Sequence, residues 1–125
     1  MSKPEWEFEL HVLLLEDDLV LGGAVRDHVF ALGHDAHWEA ELGKALNTLA
    51  LLAFDMVLLD LRLPDGDGLT LLRDVRSRSS VPVIVMTASD LISDRHEAIR
   101  CGATDFLVKP FDLACLTSRM RFALS

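Results

Sequence analysis

Met56-Val-Leu-Leu59 is an unbroken apolar run of strand length, closed by Asp55 on one side and Asp60 on the other. A run without alternation reads as a strand buried on both faces, as parallel sheets use. Soon after it comes Pro64-Asp-Gly-Asp-Gly68, a cluster of turn formers. A buried strand thus delivers Asp60 to its carboxyl end, and the chain then turns away. In open α/β sheets that edge is where ligands bind. The plainer reading is that Asp60 only caps the following loop, and the other strands decide between the two.

The same design recurs along the chain. His11-Val-Leu-Leu-Leu15 is a second apolar run and closes in Glu16-Asp17-Asp18. Apolar residues at helical spacing predict a helix over 19–32, with Gly33 where a C-cap glycine belongs. Residues 35–38 are less apolar, a strand near a sheet edge, and 42–52 are Ala- and Leu-rich and helical. A helix over 69–78 points Leu69, Leu71, Leu72 and Val75 inward and Arg73, Asp74, Arg76 and Arg78 outward. A fourth strand covers 81–86, with Pro82 tolerated near its start. A more polar helix over 90–101 is stopped by Gly102. A fifth strand over 105–109 and a last helix over 113–124 complete the pattern.

Strand-then-helix repeated five times implies a parallel sheet covered by helices on both faces, with right-handed crossovers. Five strands are too few for a closed eight-stranded barrel. The natural solution is a flavodoxin-like doubly wound sheet of strand order 2-1-3-4-5. In that order the first and third strands are neighbours, about 4.8 Å apart. Glu16-Asp17 and Asp60 then meet where the strand order reverses, with Thr87 and Lys109 at the ends of the next two strands.

Composition narrows the possibilities further. The 125 residues suit one domain, and half of them are hydrophobic. No apolar run approaches the roughly 20 residues of a membrane helix. The opening Met-Ser-Lys-Pro-Glu-Trp-Glu is too acidic and polar for a secretory signal. Residues 1–10 read as a lead-in and 11–125 as the domain. A net charge of −8 argues against this domain itself gripping nucleic acid. Cys101 and Cys115 form neither a CxxC pair nor a zinc pattern, and read as reduced thiols in a cytoplasm.

Three carboxylates at neighbouring strand ends repel unless something positive sits among them. Mg2+ suits such a set, because it favours one or two carboxylates, keeps several waters and welcomes phosphate oxygens. A carboxylate held at that edge can also attack phosphorus and form an aspartyl phosphate. Thr87 could donate its hydroxyl to a phosphoryl oxygen, and Lys109 could set a point charge against another. Plainer roles exist for each residue: Asp18 as N-cap of the first helix, Thr87 as a helix-start residue, Lys109 as a solvated strand end.

Four stretches in order resemble the motifs of a response-regulator receiver domain. They are Leu13-Leu-Leu-Glu-Asp-Asp18, Val57-Leu-Leu-Asp60-Leu-Arg-Leu-Pro-Asp-Gly-Asp-Gly68, Pro82-Val-Ile-Val-Met-Thr87-Ala88 and Gly102-Ala-Thr-Asp-Phe-Leu-Val-Lys109-Pro-Phe111. The resemblance implies a phosphoacceptor domain rather than an enzyme, with Asp60 phosphorylated by a sensor histidine kinase. It implies Mg2+ held by Glu16, Asp17, Asp60 and the backbone carbonyl of Arg62. Thr87 and Lys109 would bind the phosphoryl group, Phe106 would be the switch aromatic, and the Lys109–Pro110 bond would be cis.

Asp90 through Arg95, then Lys109-Pro-Phe-Asp-Leu113 and Arg119, look like the OmpR/PhoB type. That likeness implies a C-terminal DNA-binding domain outside this chain and transcriptional control. It also implies a homodimer through the fourth helix, fifth strand and fifth helix, with Arg95, Asp105 and Arg119 at ion-pair positions. Cys115 stands where a glutamate is usual, and Thr104 replaces an aspartate. A stand-alone receiver acting through protein contacts is the alternative.

Other readings fit less well. A phosphatase using an aspartyl phosphate carries a second acid two residues on, where this chain has Arg62. Gly22-Gly23 lie inside a predicted helix, so no glycine-rich phosphate loop follows the first strand. Asp65-Gly-Asp67-Gly68 lacks EF-hand ligand spacing and reads as a turn. His34 and His37 read as surface residues, and Trp6 and Trp38 could pack together or sit at an interface. Arg62 and Ser89, each two residues past a site residue, are candidates for screening or admitting water.

Overall fold

A computed structural model describes residues 9–125, so Trp6 and most of the lead-in lie outside the described residues. The elements run β1 (His11–Leu15), α1 (Leu19–Ala31), β2 (Asp35–Glu39), α2 (Leu42–Leu51) and β3 (Met56–Leu59). They continue with β4 (Arg62–Leu63), β5 (Gly66–Asp67), α3 (Leu69–Arg78), β6 (Val83–Thr87), α4 (Ile92–Arg100), β7 (Asp105–Val108) and α5 (Leu113–Leu124). The main sheet is ordered β2-β1-β3-β6-β7, and every pair in it is parallel. Counting only the strands of that sheet, this is the expected 2-1-3-4-5.

The addition is a small antiparallel hairpin, β4 with β5, where the sequence shows only a turn cluster. Two-residue strands are too short to leave a pattern in the sequence. The fourth strand also begins later than expected, at Val83, and Pro82 stays outside it as an acceptor for Val57 N–H.

Alternate residues of each central strand feed opposite faces of the sheet. Leu13, Leu15, Val57, Leu59, Val83 and Val85 pack with buried residues of α2, α3 and α4. Val12, Leu14, Met56, Leu58, Ile84 and Met86 pack with buried residues of α1 and α5. Both faces are covered, which is why these strands read as continuous apolar runs. Burying each such side chain is worth about 1.5–3 kcal/mol.

The helix ends follow local chemistry. Asp18 caps α1, accepting from the N–H groups of Val20 and Leu21. Gly33, with φ 94°, takes the left-handed turn just after α1. The start of α2 has no local side-chain cap, and Asp65 supplies one from 23 residues away. Its carboxylate accepts from Leu42 and Gly43 at 2.8 and 2.9 Å, and these bonds hold it below the usual carboxylate range. The Asp65 turn therefore ties the loop after Asp60 to α2.

Three expectations fail on exposure. Arg76 does not face solvent: its half-buried guanidinium donates to the carbonyls of Gly102 (2.8 Å) and Val81 (2.6 Å). Phe30, expected in the α1 stripe, is exposed. His37 lies on the surface, bonded to Glu39, but His34 is only 3% exposed. The turn after α1 folds His34 under Leu10, whose N–H donates to its Nδ1 at 3.1 Å.

That bond requires Nδ1 without a proton. Burial pushes the His34 pKa below its ordinary value, with Glu9 pulling weakly the other way. The unfolded chain binds a proton near pH 6.5 and the folded one resists it. The His34 contribution to stability is therefore complete above about pH 6.5 and is lost as pH falls further. Urea midpoints should drop between about pH 7.5 and about pH 5.5. The drop should shrink in His34→Asn, whose amide oxygen can still accept; equal slopes in the two proteins would clear His34.

Candidate functional site

Register builds the site. Leu15 lies beside Leu59, so the next residues, Glu16 and Asp60, leave adjacent strands side by side. The ladder continues one step further, because Asp60 N–H donates to Leu15 O at 3.0 Å. On the other flank Thr87 lies beside Val108, and Lys109 N–H donates to Thr87 O at 2.8 Å. Four strand ends therefore present Glu16, Asp17, Asp60, Thr87 and Lys109 along one rim.

The acids converge. Glu16, Asp17 and Asp60 each offer a carboxylate oxygen within 4.8 Å of the others. Glu16 is fully buried, Asp60 is 5% exposed and Asp17 is open to solvent. Lys109 reaches between the two buried acids, with Nζ 2.6 Å from Glu16 Oε1 and 2.9 Å from Asp60 Oδ2. Burial pushes the Glu16 carboxyl up, and the Asp60 charge adds to that against the pull of Lys109. Burial works against the Lys109 charge, but Glu16 and Asp60 outweigh it and hold the ammonium above its usual range. The lysine is firmly charged, while the acid side of the site stays short of positive charge.

Neighbouring groups fix these side chains. Asp60 Oδ1 accepts from the Arg62 N–H at 3.3 Å, while the Arg62 guanidinium pairs with Asp94 at 3.2 Å. Arg62, the expected carbonyl ligand, opens β4 shortly after Asp60. Thr87 is buried, and its Oγ1 accepts from Ser89 N–H at 3.3 Å. Phe106 is 5% exposed and packs into the core on the α2–α3–α4 face. The Lys109–Pro110 peptide is cis.

The other expected residues lie apart from this rim. Arg119 pairs with Asp105 of its own chain at 3.2 Å, and that charge is the main cause of its raised pKa. Arg95 is exposed on α4. Thr104 accepts from Val83 N–H at 3.0 Å and so serves the β6 edge.

A family model for the response regulator receiver domain matches residues 12–121. The chain belongs to that family. It is 39% identical over 113 residues to the response regulator protein PmrA of Pseudomonas aeruginosa, covering 90% of this chain and 51% of PmrA. It is 39% identical over 114 residues to the KDP operon transcriptional regulatory protein KdpE of Escherichia coli, covering 91% of this chain and 51% of KdpE. The receiver domain spans about half the length of these relatives, and it is most like the OmpR/PhoB type. Among solved structures, it superposes on the receiver domain of the sensor histidine kinase PA1611 from Pseudomonas aeruginosa with a TM-score of 0.82 at 30% identity. That match covers 94% of this chain and all of the other, which has a magnesium ion coordinated in its active-site cleft.

Two further residues shape the rim of this receiver. Trp38, at the end of β2, donates its indole N–H to the Glu16 carbonyl at 2.8 Å. Its ring lies against Gly22 of α1, where a Cβ would come within 2.1 Å of it. Gly68 touches Asp60 from the other side. Its φ of −59° is ordinary, so only space demands glycine there. The sequence shows it merely as one turn former among several.

A Cβ at Gly68 would lie 2.0 Å from the Asp60 carbonyl oxygen. Gly68→Ala should therefore destabilise the fold by about 1–3 kcal/mol, as overpacking does. Gly23→Ala, a helix position with nothing within 4 Å, should be neutral or stabilising by up to about 1 kcal/mol. Urea unfolding of the two variants measures the contrast, and equal midpoints would refute the close-approach argument.

Proposed function

We propose that this receiver is a phosphorylation switch in which Asp60 accepts a phosphoryl group from a sensor histidine kinase. The observation that supports it most directly is the acid triad of Glu16, Asp17 and Asp60 with Lys109 bonded into it. An Asp60 oxygen attacks phosphorus, the O–P bond forms, the donor's P–N bond breaks, and the leaving imidazole takes a proton from solvent. Lys109, already at Asp60 Oδ2, stays beside the reacting carboxylate and faces the incoming negative charge. Thr87 then turns its hydroxyl from the Ser89 region toward a phosphoryl oxygen.

The donor set fits a hard divalent cation: the oxygens are carboxylates, and Lys109 offsets only one of three negative charges. Glu16, Asp17, Asp60 and the Arg62 carbonyl would hold Mg2+, which when bound supplies positive charge to the transferring phosphoryl oxygens. In this reading the domain is a phosphoacceptor that assists its own phosphorylation, not an enzyme with a separate substrate. No described helix is long and apolar enough to cross a membrane, and the free thiols Cys101 and Cys115 fit a reducing cytoplasm.

Output runs through Thr87 and Phe106 to the α4–β7–α5 face. Phe122 is 77% exposed there and Val108 39%, apolar surface that a symmetric partner would cover. Arg95, Asp105 and Arg119 lie on the same face. Transcriptional control, which the name of KdpE gives for that relative, would then act through a DNA-binding domain outside this chain.

Incubation with acetyl phosphate and Mg2+ should add one phosphoryl group by intact mass. Asp60→Asn should gain none, and EDTA should suppress the gain in the wild type. Light scattering of the same samples should show a larger mass only where Asp60 is modified. An unmodified wild type, or equal labelling of Asp60→Asn, would sink the proposal; modification without any change in size would remove the dimer alone.

A further inference from the structure

Asp94, in the first turn of α4, gathers two side chains onto one oxygen. Its Oδ2 accepts from Ser89 Oγ at 2.5 Å and from the Arg62 guanidinium at 3.2 Å. These donors are the residues two past Asp60 and two past Thr87. Each also touches the residue it follows: Arg62 N–H faces Asp60 Oδ1 at 3.3 Å, and Ser89 N–H donates to Thr87 Oγ1 at 3.3 Å. A chain of contacts therefore runs from Asp60 through Arg62, Asp94 and Ser89 to Thr87. Arg62 and Asp94, with Leu61, Asp67 and Leu69, also line a cavity of about 80 Å³. That is room for a water or two beside the residue that follows the acceptor.

We propose that Asp94 is a positioning residue that holds the Arg62 side chain away from Asp60 and so sets how long a phosphoryl group survives there. The inference rests on the reading of Asp60 as phosphoacceptor. Loss of the group is hydrolysis. A water oxygen bonds to phosphorus, the P–O bond to Asp60 breaks, Asp60 leaves as carboxylate, and both water protons depart with inorganic phosphate. A guanidinium two residues from a phosphoryl dianion is drawn toward it and would screen phosphorus from water. Asp94 competes for that guanidinium and keeps the approach open. The Ser89 arm fixes the Asp94 carboxylate, since a hydroxyl bonded to a charged oxygen holds it in one rotamer.

The Arg62 side chain is 72% exposed, so the Asp94 pair is weak and easily biased. Its removal should change the hydrolysis rate by about two- to fivefold. The test follows phosphoryl loss by intact mass after the acetyl phosphate is removed, with Mg2+ constant. Asp94→Asn keeps the shape and an acceptor for Ser89 but loses the charge that holds Arg62. It should lengthen the phosphoryl half-life by that factor, and Asp94→Glu should restore the wild-type rate. With Arg62→Ala as background, adding Asp94→Asn should change nothing. A wild-type half-life in Asp94→Asn overturns the proposal, as does a lengthening that persists without Arg62. Absence of labelling in every variant overturns the acceptor reading as well, whereas normal labelling with unchanged decay overturns this inference alone.

Discussion

The contact on which the site depends is the one Lys109 makes to two buried carboxylates at once. Like charges about 4 Å apart repel by on the order of 4 kcal/mol at the effective dielectric near a protein surface. Strand register nevertheless forces Glu16 and Asp60 together, because Leu15 and Leu59 are ladder partners and the next residues inherit the spacing. Lys109 answers that repulsion with one ammonium bonded to both acids. It offsets Glu16 only in part, since burial still leaves that carboxyl above its usual range. The rim is therefore neutral enough to fold and negative enough to favour a further cation.

Holding that balance is mostly the work of groups outside the acid cluster. Trp38 fixes the Glu16 carbonyl, and Gly22 makes room for its ring. Gly68 lets the chain return against the Asp60 carbonyl, while Asp65 and Asp67 stitch the intervening hairpin to the starts of α2 and α3. Each hydrogen bond among these is worth about 1 kcal/mol. Together these contacts over-determine the direction in which Asp60 points.

The five strands and five helices were legible because each strand is an apolar run and each helix carries an inward stripe, patterns of four to a dozen residues. The convergence of Glu16, Asp17, Asp60, Thr87 and Lys109 was legible too, since strand order alone brings those ends together. Contacts whose logic lies in three dimensions were not. The link from Arg62 to Asp94 spans 32 residues, and nothing near either residue announces it. His34 and Arg76 look like surface residues because polarity is the only local signal, yet each is drawn inward by backbone groups that need a partner. Gly68 reads as a turn former because sequence shows conformational freedom and not the nearness of another carbonyl.

Helices α3 and α4 are anchored unequally. α3 buries Leu69, Leu71, Leu72 and Val75, whereas α4 buries Ala98 alone. At about 1.5–3 kcal/mol per large apolar side chain, α3 is anchored far beyond the reach of one phosphoryl group. α4 is not: its first turn is tied to the site by Asp94, through Ser89 and Arg62, with a few hydrogen bonds worth about 1 kcal/mol each. A ligand moves an equilibrium only by its differential affinity for the two states, and a few charge-assisted bonds are of that scale. The face that carries α4 is also where Phe122 stands exposed and where Arg119 is paired within its own chain. A shift of α4 would thus change a face on which Phe122 stands uncovered. In this fold, the weakest-anchored helix is also the one tied to the acid rim.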